Sequence, residues 1–233
     1  MDIQVTEACC NTPATKTVWS KKGAFRPLSK HIDEIERQTY RVGPSNSKRG
    51  VVALIDIHGF HPTTTLAEKG FQVSAIDLYK NGPIPDEYMG DMPKLGAWIR
   101  GNADYKSSHI DEMIKVAIHD LQTDGCDSIF ASDSVILGVA GPHPTAVTVP
   151  LVAGLKCPLA IFPSLEEPDM LPVIKAVNDK GFPVPSLHLR FDNMPHGFCG
   201  GRGDWSLPEQ HEAAQLVLQR TADFFVALSQ KET

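Results

Sequence analysis

Two residues late in the chain have the side chains of an acid–base pair. Glu166 lies in the segment PSLEEPD (163–169), and His196 lies in the glycine-rich segment FDNMPHGFCGGRGDWS (191–206). A carboxylate can hold an imidazole in one tautomer and stabilise its protonated form, and the imidazole can then take a proton from a nucleophile. Each residue follows an apolar run, so the neighbouring elements decide whether the two side chains can meet.

Apolar runs alternate with helical patterns along the chain. Strands are predicted from the runs at 50–57, 71–78, 126–132, 135–140, 157–162 and 186–191, and helices over 109–121, 169–181 and 206–228. This alternation predicts the α/β class, with a mostly parallel sheet that carries helices on both faces. We expect a single domain over residues 1–233 with an irregular N-terminal segment over 1–40. Ligands bind beyond the carboxyl ends of such strands, which is where Glu166 and His196 fall.

Several motifs carry a family resemblance that covers most of the chain. They are ACC with a proline shortly after (8–13), VVALIDIHGF (51–60), GFQVSAIDLYKNGP (70–83), AGPHP (140–144), PSLEEPD (163–169) and MPHGFCGGRGDWSLPE (194–209). With these the chain resembles the dienelactone hydrolase (carboxymethylenebutenolidase-like) family, in its eukaryotic branch. The resemblance implies an α/β-hydrolase fold that cleaves lactones and esters with a Cys-His-Asp triad. It also implies that His196 is the catalytic base and that Glu166 replaces the triad aspartate.

The nucleophile of that family has no match here. The sequence contains no Gly-x-Cys-x-Gly, and only Ser132, Asp133 and Ser134 separate the run IFA from the run VILGVA. A parallel crossover needs roughly a dozen residues, so one strand–helix crossover is shortened. The two runs then form one irregular strand, turn back as a hairpin, or leave one run outside the sheet. Ser132, at the carboxyl end of its strand, is the candidate nucleophile, and Cys199 near His196 is an alternative.

Substrate contacts are predicted at the ends of the first two central strands. The backbone near 57–58 is expected to supply an oxyanion-hole N–H, and Asp56 and His58 lie at this edge. Tyr79 and Lys80 follow the next strand and could contact an anionic substrate, with a solvated loop pair as the alternative. Asp56, His58, His61 and His143 could instead bind zinc, but their spacing is not a zinc signature. We therefore expect no metal and no cofactor.

Composition excludes several classes of partner. The 22 basic and 28 acidic residues leave a net charge of −6, which argues against nucleic-acid and anionic-membrane surfaces. The polar start of the chain lacks the features of a signal peptide, and no apolar run approaches the roughly 18 residues that span a bilayer. The 5 cysteines are an odd, irregularly spaced set, typical of reduced thiols. We expect a cytoplasmic monomer or homodimer that acts on a small molecule.

Three functional hypotheses remain open from the sequence. The first is a hydrolase of small lactones or esters in which His196 is the base and Glu166 orients it. The second is a non-hydrolytic relative, either a binding protein or an enzyme that uses His196 for proton transfer alone. The third is an incomplete form of the protein with little stable structure. The retained MPHGF loop favours the first two, and the missing nucleophile segment favours the last two.

Overall fold

The structure, a computed structural model, describes residues 22–32, 36–55, 65–79, 84–102, 107–130, 137–144 and 147–230. They fall into two compact units. The described residues of the N-terminal unit lie within Val18–Val135, and those of the C-terminal unit lie within Ile136–Thr233. Among the described residues, no helix is both long and apolar enough to cross a membrane.

The N-terminal unit contains a five-stranded sheet of order β1-β2-β4-β3-β5. The strands are β1 Ala24–Pro27, β2 Gln38–Val42, β3 Arg49–Leu54, β4 Gln72–Ile76 and β5 Ser128–Phe130. The pairs β1–β2 and β2–β4 are antiparallel, and β3 is parallel to both β4 and β5. Every residue of the central strand β4 is buried, as expected for a strand that is covered on both faces.

Among the described residues, three helices accompany this sheet, and a short 3-10 helix spans Asp86–Tyr88. They are α1 Thr65–Glu68, α2 Met92–Asn102 and α3 Ser107–Thr123. The helix α3 packs on β3 and β4. It buries a stripe with helical spacing that was visible in the sequence: Met113, Ile114, Ala117, Ile118 and Leu121.

The C-terminal unit contains a three-stranded parallel sheet of order β6-β7-β8. Its strands are β6 Val139–Pro142, β7 Leu159–Phe162 and β8 Leu187–His188, and its helices are α4 Val149–Val152, α5 Leu171–Asn178 and α6 Pro208–Ser229. The fully buried central strand β7 and the apolar face of α5 form one core cluster, which also includes Val152 and Met170. Burying these aliphatic side chains is the main source of stability for this sheet and its carboxyl edge.

Most of the expected elements form where the apolar runs and helical patterns predict them. Four of the described strand pairs are parallel and two are antiparallel, and helices accompany both sheets, which confirms the α/β class. The N-terminal segment differs from the prediction, because β1 and the start of β2 lie within residues 1–40, which we expected to be irregular. Both strands pair antiparallel, and the edge strand β1 is exposed along its whole length, so no apolar run marks it.

The structure also shows which strands are formed by the two apolar runs beside the shortened crossover. Among the described residues β5 pairs with β3, and β6 pairs with β7, so the two runs join different sheets. Residues 131–136, which include Ser132, lie outside the described residues.

Candidate active site

The carboxyl ends of three parallel strands define one edge of the C-terminal sheet. Pro142 at the end of β6 is paired with Phe162 at the end of β7, and Ile161 is paired with His188 in β8. A further parallel bridge joins Ser164 to Phe191 just beyond the strands. The segments that follow β7 and β8 therefore leave the sheet side by side, which brings the two predicted site residues together.

The segment after β7 makes a tight turn that carries two glutamates. The turn is closed by the backbone N–H of Glu167, which donates to the carbonyl of Ser164 at 3.4 Å. The backbone N–H of Ser164 in turn donates to the carboxylate of Glu167. Because this bond draws the Glu167 side chain inward, Glu167 is buried while the adjacent Glu166 is exposed. Consecutive residues of one turn thus have opposite environments.

The segment after β8 holds His196 against this turn. Phe191 N–H donates to the Pro163 carbonyl at 2.8 Å, and Leu165 N–H donates to the Met194 carbonyl at 3.0 Å. These backbone bonds fix the two segments to each other before any side chain is considered. The His196 residue that they position is 8% exposed.

Both glutamates contact His196, but through different atoms. The carboxylate of Glu167 meets the ring at Nδ1. The carboxylate of Glu166 accepts the backbone N–H of His196 at 2.5 Å and lies 3.5 Å from the Ser164 hydroxyl oxygen. The sequence-based assignment is therefore corrected by one residue, because Glu167 rather than Glu166 contacts the imidazole. The physical reason is the turn, which points Glu167 inward and leaves Glu166 at the rim.

The electrostatics of the pair favour a charged carboxylate. Burial on its own raises the pKa of Glu167, but hydrogen bonds from His196 and from Ser164 outweigh it and hold that pKa below its usual value. An ionised carboxylate only accepts hydrogen bonds, so Nδ1 of His196 is the donor. In the neutral ring the lone pair then lies at Nε2, which is the tautomer that a general base requires.

His143 packs against the ring of His196. It follows β6 directly, and its ring centroid is 5.0 Å from that of His196 with the planes at 78°. Its backbone has φ of +39°, which is uncommon for a residue with a side chain, and its N–H donates to the Phe162 carbonyl at 2.9 Å. The sequence suggested His143 as a possible zinc ligand. Within the described ranges no three His, Cys, Asp or Glu side chains are grouped as a metal would need.

The glycines after His196 serve the path of the backbone. Gly197 has φ of +84°, and a Cβ there would lie 3.0 Å from the side chain of Arg202. A Cβ on Gly203 would lie 2.1 Å from the carbonyl oxygen of Phe198, which also accepts the indole N–H of Trp205 at 2.9 Å. The loop therefore needs glycine at these two positions to fold back tightly beside the imidazole.

The described cysteines are not activated thiols. Burial raises the pKa of Cys199 far above its usual value, raises that of Cys157 to about 11, and also raises that of Cys126. A nucleophilic cysteine needs the opposite shift, because the thiolate is the reactive form. Cys199 is thus a neutral thiol in the loop, and the structure does not favour it as the nucleophile.

The other predicted site residues fall in the N-terminal unit or outside the described residues. Tyr79 is 6% exposed and packs on Trp98, with ring centroids 5.3 Å apart. Its backbone N–H donates to Asp77 at 2.9 Å, so this tyrosine belongs to the interior of its unit. The remaining predicted residues, which are Asp56, His58, Lys80 and Ser132, lie outside the described residues.

Comparison with solved structures supports this architecture at the level of the fold. A candidate dienelactone hydrolase from Klebsiella pneumoniae superimposes with a TM-score of 0.64 at 14% identity, covering 87% of this chain and 98% of its own. The chain has the α/β-hydrolase fold. A dienelactone hydrolase-like promiscuous phosphotriesterase from metagenomic libraries gives a TM-score of 0.59 at 16% identity, covering 88% of this chain and 98% of its own.

A cold-adapted esterase from an Arctic intertidal metagenomic library adds a third α/β-hydrolase neighbour, with a TM-score of 0.56 at 14% identity, covering 91% of this chain and 98% of its own. No family model matches the sequence, and no curated protein matches it. At these identities the likeness establishes the shared fold, so chemistry has to be argued from the residues of this chain.

Proposed function

We propose that the protein is a hydrolase of small lactones or esters in which His196 is the general base and Glu167 orients it. The observation that carries this proposal is the buried contact between the Glu167 carboxylate and Nδ1 of His196, at the carboxyl edge of a parallel sheet. An acid after one late strand and a histidine after the next is the order of the last two triad members in α/β-hydrolases.

The geometry assigns a role to each member of the pair. Glu167 keeps the proton of the neutral ring on Nδ1, so Nε2 accepts the proton of the attacking nucleophile. The imidazolium that results is stabilised by the adjacent carboxylate. It then returns the proton to the leaving alkoxide. Direct attack by water releases the acid in this step, whereas an acylated serine is cleaved by a second water that the same base deprotonates. The cycle leaves both side chains unchanged. Glu166 holds the backbone of His196 and takes no proton in this scheme.

The nucleophile in this proposal is the Ser132 hydroxyl or a water molecule. The sequence contains no Gly-x-Cys-x-Gly segment, and the described cysteines have raised pKa values. A hydroxyl or water has a high pKa and depends on a base for its activation, which makes the Glu167–His196 pair necessary.

A second candidate is proton transfer without hydrolysis, or binding without turnover. The missing nucleophile segment specifically favours it. A positioned base contributes typically about 10²–10⁴-fold, which is enough for isomerisation of a lactone-like compound but leaves hydrolysis slow. In either case the ligand we propose is a small lactone or ester, and we propose that the chain acts in the cytoplasm as a monomer or homodimer.

The test is hydrolysis of an activated ester and of a dienelactone by the wild type and by His196→Ala, after both proteins are shown to melt cooperatively. Turnover by the wild type that is lost in His196→Ala supports the hydrolase, and Ser132→Ala then tells the serine from water. A cooperatively folded wild type with no turnover on either substrate would falsify hydrolysis and leave the second candidate. Equal turnover by both proteins removes His196 from the mechanism.

A further inference from the structure

One arginine donates hydrogen bonds to the backbone of the turn that carries both glutamates. Arg190 lies two residues after β8, and its Nη2 donates to the carbonyl of Leu165 at 3.1 Å. Its Nη1 donates to the carbonyl of Pro168 at 3.2 Å. Leu165 and Pro168 immediately precede and follow Glu166 and Glu167, so the guanidinium bridges the backbone carbonyls on both sides of the two glutamates.

The guanidinium is itself held in place. Its Nε donates to the carboxylate of Asp192 at 2.6 Å, and the Arg190 side chain is 27% exposed. All three nitrogens of the planar group therefore have partners, which fixes the direction of the fork. Charge-assisted hydrogen bonds of this kind are roughly twice as strong as neutral ones.

Besides the fork, backbone bonds to the segment after β8 hold the turn. Its own closing bond, from Glu167 N–H to the Ser164 carbonyl, is long at 3.4 Å. On the inner side the turn meets His196 through both carboxylates. The segment 190–196 thus holds the turn at both of its sides, with the arginine at one end and the histidine at the other.

We propose that Arg190 is a positioning residue that sets the distance and direction of the Glu167 carboxylate toward Nδ1 of His196. The proposal rests on the proposed role of His196 as the base. Arg190 acts through the peptide carbonyls of the turn and does not touch the imidazole or a substrate. A misplacement of about 1 Å in a catalytic group can lower the rate by as much as about 10²-fold, so a support of this kind affects turnover.

The experiment compares Arg190→Lys and Arg190→Met with the wild type. Lysine keeps the positive charge but lacks the planar fork, so its single tetrahedral nitrogen cannot hold the two carbonyls and the Asp192 carboxylate in the same geometry. The control is Lys175→Met, which removes an exposed cation on α5 of the same unit that is paired with Asp179, the residue after the helix. The first measurement is the proton NMR signal of the Nδ1 proton of His196, identified by its loss in His196→Ala.

We expect this signal at low field in the wild type and in Lys175→Met, and shifted upfield or broadened in both Arg190 variants. If the protein turns over an ester, kcat falls about tenfold in Arg190→Lys with KM little changed, because binding is not the step affected. The thermal midpoint of Arg190→Lys stays close to that of the wild type.

Two results would overturn the proposal. One is an unshifted Nδ1 signal in a cooperatively folded Arg190→Lys or Arg190→Met. The other is a wild type without a low-field Nδ1 proton, since there would be no pair to position. Because the NMR measurement needs no substrate, a wild type that lacks turnover fails the hydrolase proposal and still tests the role of Arg190.

Discussion

The Glu167–His196 pair of the C-terminal unit and the Arg41–Asp124 pair of the N-terminal unit both join a buried side chain to a carboxylate. They lie at different places in their sheets. Glu167 and His196 are in loops beyond the carboxyl ends of parallel strands. Arg41 is within β2 opposite Ser74, in the middle of β4, and Asp124 follows the last turn of α3.

The two pairs also differ in the chemistry that they allow. Burial lowers the pKa of Arg41, and Asp124 and Asp120 oppose that shift, but an arginine stays charged at any physiological pH. The guanidinium also donates to Gln72 at 3.3 Å, so it serves as a fixed cross-link between strand and helix end. Histidine exchanges protons near neutral pH. A buried pair of this kind is thus a candidate for catalysis only where one of its members titrates near neutral pH and the pair lies at a ligand-binding edge of the sheet.

The largest effect that separates the two pairs is expected from Glu167→Gln. The amide keeps the size of the side chain but removes the charge that stabilises the imidazolium, so kcat/KM for an activated ester should fall by about 10²–10⁴-fold. The measurement is steady-state kinetics against the matched variant Glu166→Gln. That variant keeps an oxygen for the His196 backbone N–H, and we expect it to lose about tenfold or less. A larger loss in Glu166→Gln than in Glu167→Gln would restore the sequence-based assignment.

A smaller effect, on stability alone, is expected from Arg41→Met. The substitution removes the cation but leaves Gln72 buried and Asp124 partly open to water, so the free energy of unfolding should fall by about 2 kcal/mol. Urea denaturation measures this change, and the ester assay should show unchanged turnover by the remaining folded protein. Loss of turnover without loss of stability would contradict the structural role of this pair.

The comparison also shows how far the sequence alone can lead. The continuous apolar runs predict β3, β4 and β7 because strands of a parallel sheet that is covered on both faces are typically built from such runs. The same reasoning places His196 at the correct edge of the sheet. The exposed β1 escaped prediction because its pairing with β2 is a matter of backbone hydrogen bonds, which leave no apolar signature.

The identity of the orienting carboxylate could not be read from the chain. Glu166 and Glu167 are adjacent and identical in type, and only the turn that buries one of them distinguishes their roles. Arg190 escaped prediction for a related reason. It donates to peptide carbonyls, which every residue has. The sequence therefore contains no particular residue type that would indicate its partners.

The Glu167–His196 pair is expected to make the free energy of unfolding depend on pH in acid solution. The pKa of Glu167 is lowered in the folded state, so its contribution to stability is present above the unfolded value of about 4.3 and is lost as the pH falls through the lower folded value. The free energy of unfolding of the wild type should therefore decline with falling pH below about 4.3 more steeply than that of Glu167→Gln. Urea titrations at several pH values measure the slopes. Equal slopes would mean that Glu167 has no lowered pKa in the folded protein.

The smallest effect tests charged contacts inside the C-terminal unit that serve structure alone. The Nζ of Lys180 donates to the carbonyls of Val152, Ala153 and Leu155 at 2.8, 2.8 and 2.7 Å, at the end of α4. Lys180→Met removes all three bonds, but water can replace the donor at this exposed site, so we expect a loss of about 1 kcal/mol in the free energy of unfolding.

The matched control is Lys175→Met, whose ammonium pairs with the exposed Asp179 one turn away. Exposed pairs of this type contribute little, so its unfolding curve should overlay that of the wild type. Neither variant should change kcat, because neither side chain contacts the Glu166–Glu167 turn or His196. If Lys180→Met lowers kcat in protein that remains folded, then the support of the candidate site extends through α4, and the distinction between structural and catalytic charge pairs in this unit does not hold.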